Sequence, residues 1–116
     1  MYRLFKSFRH ALRGIAFALR NERNFQVEMA TAGVVGLLML WLPLSKGENI
    51  ILIFTIILVL GFELINTAQE RVMDILKPRV HPYARVVKDV MAGAVLVVSV
   101  GAVVIGFCIF SPYFLR

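Results

Sequence analysis

Long apolar runs, rather than the alternation of a soluble domain, organise this chain. Three stand out, at about 28–45 (MATAGVVGLLMLWLPL at its centre), 49–66 (IILIFTIILVLGF) and 90–110 (VMAGAVLVVSVGAVVIGFCIF). Each approaches the ~20 residues a helix needs to cross the hydrocarbon of a bilayer. The first ends at Pro43, whereas the second continues in a helical pattern to about Leu76. Residues 2–22 follow another pattern. On a helical wheel Leu4, Phe5, Phe8, Leu12, Ile15 and Leu19 fill one sector of roughly 100°, and Lys6, Arg9, Arg13 and Arg20 adjoin it. This predicts an amphipathic helix lying in the membrane interface, apolar face in lipid and basic face toward headgroups. A short "SKGE" joins the first two runs. Pro78 and Pro82 within "KPRVHPYAR" predict an irregular loop before the third.

The expected fold is therefore an all-α membrane protein, a single domain over 1–116 with a surface helix and three transmembrane helices. Composition agrees: 59% of the 116 residues are hydrophobic and 17% charged, against about a quarter charged in soluble domains. The single cysteine, Cys108, excludes a disulfide framework or a cysteine metal cluster and reads as a small lipid-facing or packing residue. The first 27 residues carry six Lys and Arg and no uninterrupted apolar core, so no cleavable signal peptide is expected.

Charge orients the bundle. Five further Lys and Arg lie in 71–88, one in the 45–49 turn and one at Arg116. The positive-inside rule then puts the N-terminus and the 71–88 loop in the cytoplasm, and the 45–49 turn and C-terminus on the opposite side. No nucleic-acid partner is expected. Small residues at Ala30, Ala32, Gly33, Gly36, Ala92, Gly93, Ala94 and Gly101 predict close helix packing.

Polar residues at membrane depth need a chemical reason. Glu63, Glu70 and Asp74 fall within about 40° of one another on a helix, with Asn66 roughly 60° to one side, along ~16 Å of axis. Burying a charge at the bilayer centre costs at least ~2.5–3.5 kcal/mol, and a poorly solvated Glu63 suits a general base. Glu70 and Glu22, brought together from different helices, could hold a magnesium ion with phosphate oxygens and water. The alternative is ion pairing with Arg20, Arg23 or Arg71, and the spacing does not decide between them. Lys88, which with Asp89 opens the third membrane run, could neutralise a phosphoryl group or snorkel to headgroups. His81 lies in the loop and His10 near the basic face of the first helix. The chain has no phosphate-binding glycine loop and no Ser/His/Asp arrangement, so a nucleotide site would be built from helix ends.

"RNERNF", "NTAQERVMD" and "HPYARVVKDVMAGAVL" together resemble the prokaryotic diacylglycerol kinase and undecaprenol kinase family of small integral-membrane lipid kinases. The pattern E-x-x-N-[ST]-A-x-E-x-x-x-D, then H-x-x-x-x-x-x-K-D, is matched by Glu63, Asn66, Thr67, Ala68, Glu70 and Asp74, then His81, Lys88 and Asp89. The resemblance covers about residues 4–110. It implies a homotrimer in the bacterial cytoplasmic membrane, with active sites shared between subunits, using ATP and Mg2+ to phosphorylate a lipid hydroxyl. It assigns Glu63 as the catalytic base and Glu22 and Glu70 as metal ligands. Asn66, Asp74, His81, Lys88, Asp89 and His10, with Glu22 and Glu70, would bind the nucleotide. Glu28 and Ala92, with Glu63, would contact the lipid. "FKSFRHALRGI", "ERNF" and "HPYA" favour undecaprenol as the substrate, whereas Glu28 resembles the diacylglycerol branch. Gln69 departs from the usual aliphatic residue at its position. A proton-coupled exporter is the competing class, but such proteins typically carry four spans and a lone carboxylate in the first.

Overall fold

The computed structural model describes residues 1–76 and 82–115, and four helices account for nearly all of them. They are α1 (Tyr2–Asn21), α2 (Arg23–Trp41), α3 (Lys46–Leu76) and α4 (Pro82–Phe114). The helix expected over about 2–22 and the long continuation of the second run to Leu76 are both present.

Two boundaries differ from expectation. The helix carrying the first apolar run starts at Arg23 and stops at Trp41, with Leu42 already extended ahead of Pro43. The residue before a proline is biased out of the α region, which stops the helix early. α4 opens at Pro82 rather than near residue 90. Proline is favoured at the first helical position, where its missing N–H would be unpaired in any case. Residues 82–85, expected in a loop, are therefore helical.

α3 and α4 are long and apolar enough to cross a membrane. α3, at 31 residues, extends ~46 Å at 1.5 Å per residue, well beyond a ~30 Å hydrocarbon layer. α2 is not in that class, because Arg23, Asn24, Gln26 and Glu28 make its first turns polar. In the apolar helices Thr31, Thr55 and Thr67 donate their hydroxyls to the carbonyls of Val27, Ile51 and Glu63, at 2.9, 2.7 and 3.0 Å. No separate partner is then needed in an apolar setting.

α3 is the axis of the fold. It packs most extensively on α4 and less on α2, while α1 rests on α2 and α3. Ala18 and Phe25 are buried at the joint between α1 and α2; Leu52 and Ile109 are the other buried hydrophobic residues among those described. Most large apolar side chains of α3 and α4 face outward, among them Phe54, Ile57, Val97, Val103 and Phe107. An apolar exterior of this extent has no place in water and marks a lipid-facing surface. The N-terminal part of α1 is likewise exposed along Leu4, Phe5, Phe8 and Leu12.

At the end where α2 turns into α3, Ser45 and Glu48 form a capping box. The Ser45 N–H donates to Glu48 Oε1 at 2.9 Å and the Glu48 N–H to Ser45 Oγ at 3.1 Å. The Tyr113 hydroxyl, from the last turn of α4, donates to the same Glu48 oxygen at 2.8 Å and lies 3.5 Å from the Pro43 carbonyl. One side chain thus ties α4 to the α2–α3 turn.

Candidate active site

The polar residues of α3 gather at its other end. Glu63 is 3% exposed, a carboxylate enclosed within an otherwise apolar stretch. Asn66 and, from α2, Asn24 stand close to its carboxylate, and Glu28 and Glu70 are near enough to act on it electrostatically. Asn66 Nδ2 donates to Glu70 Oε1 at 3.4 Å, one turn further along. The helical spacing read from the sequence is thus realised as a cluster: Glu63, Asn66 and Glu70 on α3, faced by Asn24 and Glu28 on α2. Asn24 had no role in the sequence reading; its position two residues past Glu22, at the start of α2, is the signal that could have found it.

Glu22 is the single residue between α1 and α2. Its φ and ψ of −113° and 110° break the helix, while its N–H still donates to the Ala18 carbonyl at 2.9 Å. Arg71 Nη2 donates to Glu22 Oε1 at 2.6 Å. Of the three arginines that could have paired with Glu22, it is the one on α3, next to Glu70, that does so. The Arg71 guanidinium also lies over the Phe17 ring, 5.2 Å from its centroid. Further down α3, Lys88 Nζ lies 3.4 Å from Asp74 Oδ1, joining the end of α3 to the first turns of α4.

His10, Asp89 and Ala92 are exposed, and His81 lies outside the described residues. The structure therefore assembles the α3 carboxylates with α2 and the α1–α2 joint, and places Asp89 and Ala92 on the open surface of α4. Gln69 keeps both amide atoms buried without a hydrogen-bond partner among the described residues, and nothing in the structure explains it.

Beside the carboxylates an apolar cavity of about 560 Å3 runs between α2, α3 and α4, lined by Glu28, Val35, Leu52, Val59, Ala102 and Phe107 among others. Glu28 is its one acidic residue. Among the described residues no three acidic, histidine or cysteine side chains converge as a metal cage. Glu22 and Glu70 are hard oxygen donors on separate elements, the type a magnesium ion shared with phosphate oxygens takes, while Glu22 is here in the alternative arrangement, an ion pair with Arg71. Magnesium is commonly bound through one or two carboxylates in this way.

The fold and cluster define an integral-membrane protein with a polar site at the end of a long helix. The model of the prokaryotic diacylglycerol kinase family matches residues 9–110, and the chain belongs to that family. Among its relatives, the undecaprenol kinase of Bacillus subtilis is 43% identical over 110 residues, covering 95% of this chain and 89% of that protein. The diacylglycerol kinase of Synechocystis is 36% identical over 94% of this chain, which spans 63% of that longer relative. The diacylglycerol kinase of Haemophilus influenzae is 31% identical over 81% of this chain and 80% of its own length.

Proposed function

We propose that this member of a lipid-kinase family transfers the γ-phosphoryl group of ATP to the hydroxyl of undecaprenol, giving undecaprenyl phosphate and ADP. The observation that carries the reading is the enclosed Glu63 carboxylate at the boundary between the apolar part of α3 and its charged end. A lipid hydroxyl and a nucleotide can meet only at such a boundary. Glu63 takes the hydroxyl proton as the oxygen attacks the γ-phosphorus and the bond to ADP breaks. Asn66 orients the reacting groups, and Lys88, Asp74, Asp89, His81 and His10 serve the nucleotide. Glu22 and Glu70 would hold a magnesium ion, which when bound neutralises charge on the phosphates. Glu28 and Ala92 contact the lipid.

The 43% identity to an undecaprenol kinase supports the polyprenol over a diacylglycerol. The apolar lining of the cavity beside Glu28 suits a chain carrying one hydroxyl. We further infer three membrane spans, with α2 crossing by local thinning of the bilayer and snorkelling of its flanking polar side chains. The basic N-terminus and 71–88 segment lie in the cytoplasm of a bacterial inner-membrane protein, with the C-terminus opposite. A homotrimer with shared sites accounts for Asp89 and Ala92 standing exposed on α4. The test offers ATP and magnesium with undecaprenol or diacylglycerol in parallel detergent micelles. Faster phosphorylation of undecaprenol is expected. Preference for diacylglycerol would overturn the substrate assignment, and turnover of neither would overturn the kinase reading.

A further inference from the structure

Arg71 belongs to none of the roles assigned above, yet it touches three elements at once. Its guanidinium rests on Phe17 of α1, donates to Glu22 at the α1–α2 joint at 2.6 Å, and is carried on α3 directly after Glu70. Glu22 itself sits at the N-cap of α2, where a side chain commonly accepts from the first free N–H groups, but makes no such cap. Its carboxylate is held by the arginine instead, through Oε1. The aromatic face limits the rotamers open to the guanidinium, as arginine stacking does.

We propose that Arg71 is a positioning residue that sets the Glu22 carboxylate for the metal–nucleotide complex. This rests on the reading of Glu22 and Glu70 as metal ligands. Glu22 hangs on a one-residue break between two helices, so without Arg71 its direction is fixed only by the joint. The pair leaves Oε2 available to a cation and fixes Glu22 relative to α3, hence relative to Glu70. Phe17 makes α1 part of the same device: the surface helix, docked by its last turns, orients a ligand rather than only anchoring the chain.

The experiment compares wild type with Arg71→Met, Arg71→Lys, Phe17→Leu and Glu22→Gln. Mn2+ binding in the presence of a non-hydrolysable ATP analogue is read by electron paramagnetic resonance, alongside the magnesium dependence of turnover. Arg71→Met should raise the Mn2+ dissociation constant and the half-saturating magnesium by about 5-fold, the scale of losing one ordered ion pair. kcat at saturating magnesium should change much less. Arg71→Lys keeps the charge but loses the planar fork and the stacking, and should fall between; Phe17→Leu should weaken metal binding by a smaller factor. Unchanged metal affinity in the Arg71 variants, or a loss of kcat with unaltered magnesium dependence, would overturn the proposal. If Arg71→Met does not fold, Arg71→Lys and Phe17→Leu decide by the same two readouts. Weakened binding in Glu22→Gln with none in the Arg71 variants would remove only the role of Arg71. Unchanged binding in Glu22→Gln would remove the metal assignment and this proposal with it.

Discussion

The two ends of α3 treat their carboxylates in opposite ways. Glu48, in the first turn, accepts from the Ser45 N–H and the Tyr113 hydroxyl, and a capping box encloses it. Glu63, toward the other end, has Glu70 of its own helix and Glu28 of α2 near it, with Asn66 and Asn24 as its polar company. A lone carboxylate held by neutral donors on its own scaffold has done its work once the chain is folded. Carboxylates gathered against mutual repulsion, with lone pairs left over, are arranged for something that arrives later. Both ends carry acidic residues on the same helix, so charge alone does not separate structure from chemistry; the company of other carboxylates does.

On that distinction, changes at the crowded end cost activity and changes at the Glu48 end cost stability. The largest effect is expected from Glu63→Gln. It should lower kcat by ~10²–10⁴-fold, the usual contribution of a positioned general base, with nucleotide binding largely kept. Turnover near the wild-type rate would contradict the base assignment. Next, Glu70→Ala should raise the magnesium needed for nucleotide binding roughly tenfold or more, the equivalent of ~1.4 kcal/mol or above; unaltered magnesium dependence in calorimetric titration would count against it.

A smaller effect separates the Asp74–Lys88 pair from its proposed task. Both side chains are well exposed, so a double-mutant cycle on thermal stability should give a coupling of at most ~1 kcal/mol. Lys88→Met should nevertheless raise the KM for ATP, through lost phosphate contact, by more than the pairing energy explains. Equal and small effects on stability and KM would reduce Lys88 to a surface ion pair.

The smallest effect belongs to the Glu48 end. Tyr113→Phe should leave kcat and KM unchanged while lowering the unfolding temperature in detergent. The N–H of Ser45 and the hydroxyl of Tyr113 hold Glu48, which lies ahead of the apolar run 49–66, below the ordinary glutamate pKa. Its contribution to stability is therefore present above the unfolded-state value and lost as pH falls through the lower folded value. The gap between wild type and Tyr113→Phe should accordingly close on acidification. A gap independent of pH, or a loss of activity, would break the division between the two ends.

Much of this was legible in the sequence because the relevant order is helical and local. The period of Glu63, Asn66, Glu70 and Asp74 places them on one face whatever surrounds them, and the apolar runs locate the long helices. The errors came where one residue type admits two local readings. Pro82 read as a loop residue, although a proline also opens helices. The S-x-x-E spacing of Ser45 and Glu48 reads as a short connection and also as a capping box. What could not be read locally was contact between elements: Arg71 and Glu22 are 49 positions apart. Nothing in the periodicity of α3 says which of three arginines meets that carboxylate. The approach of Asn24 to Glu63 is of the same kind, set by how α2 lies on α3.

The scarcity of enclosed hydrophobic side chains has a final consequence. Ala18, Phe25, Leu52 and Ile109 are too few to hold three long helices against one another by exclusion of water. What surrounds the helices therefore supplies the van der Waals contacts that a soluble protein finds inside itself. Lipid draws on the same apolar faces that the helices offer one another. For this chain the solvent is a structural component, and exchanging bilayer for detergent is a change of composition as real as a mutation.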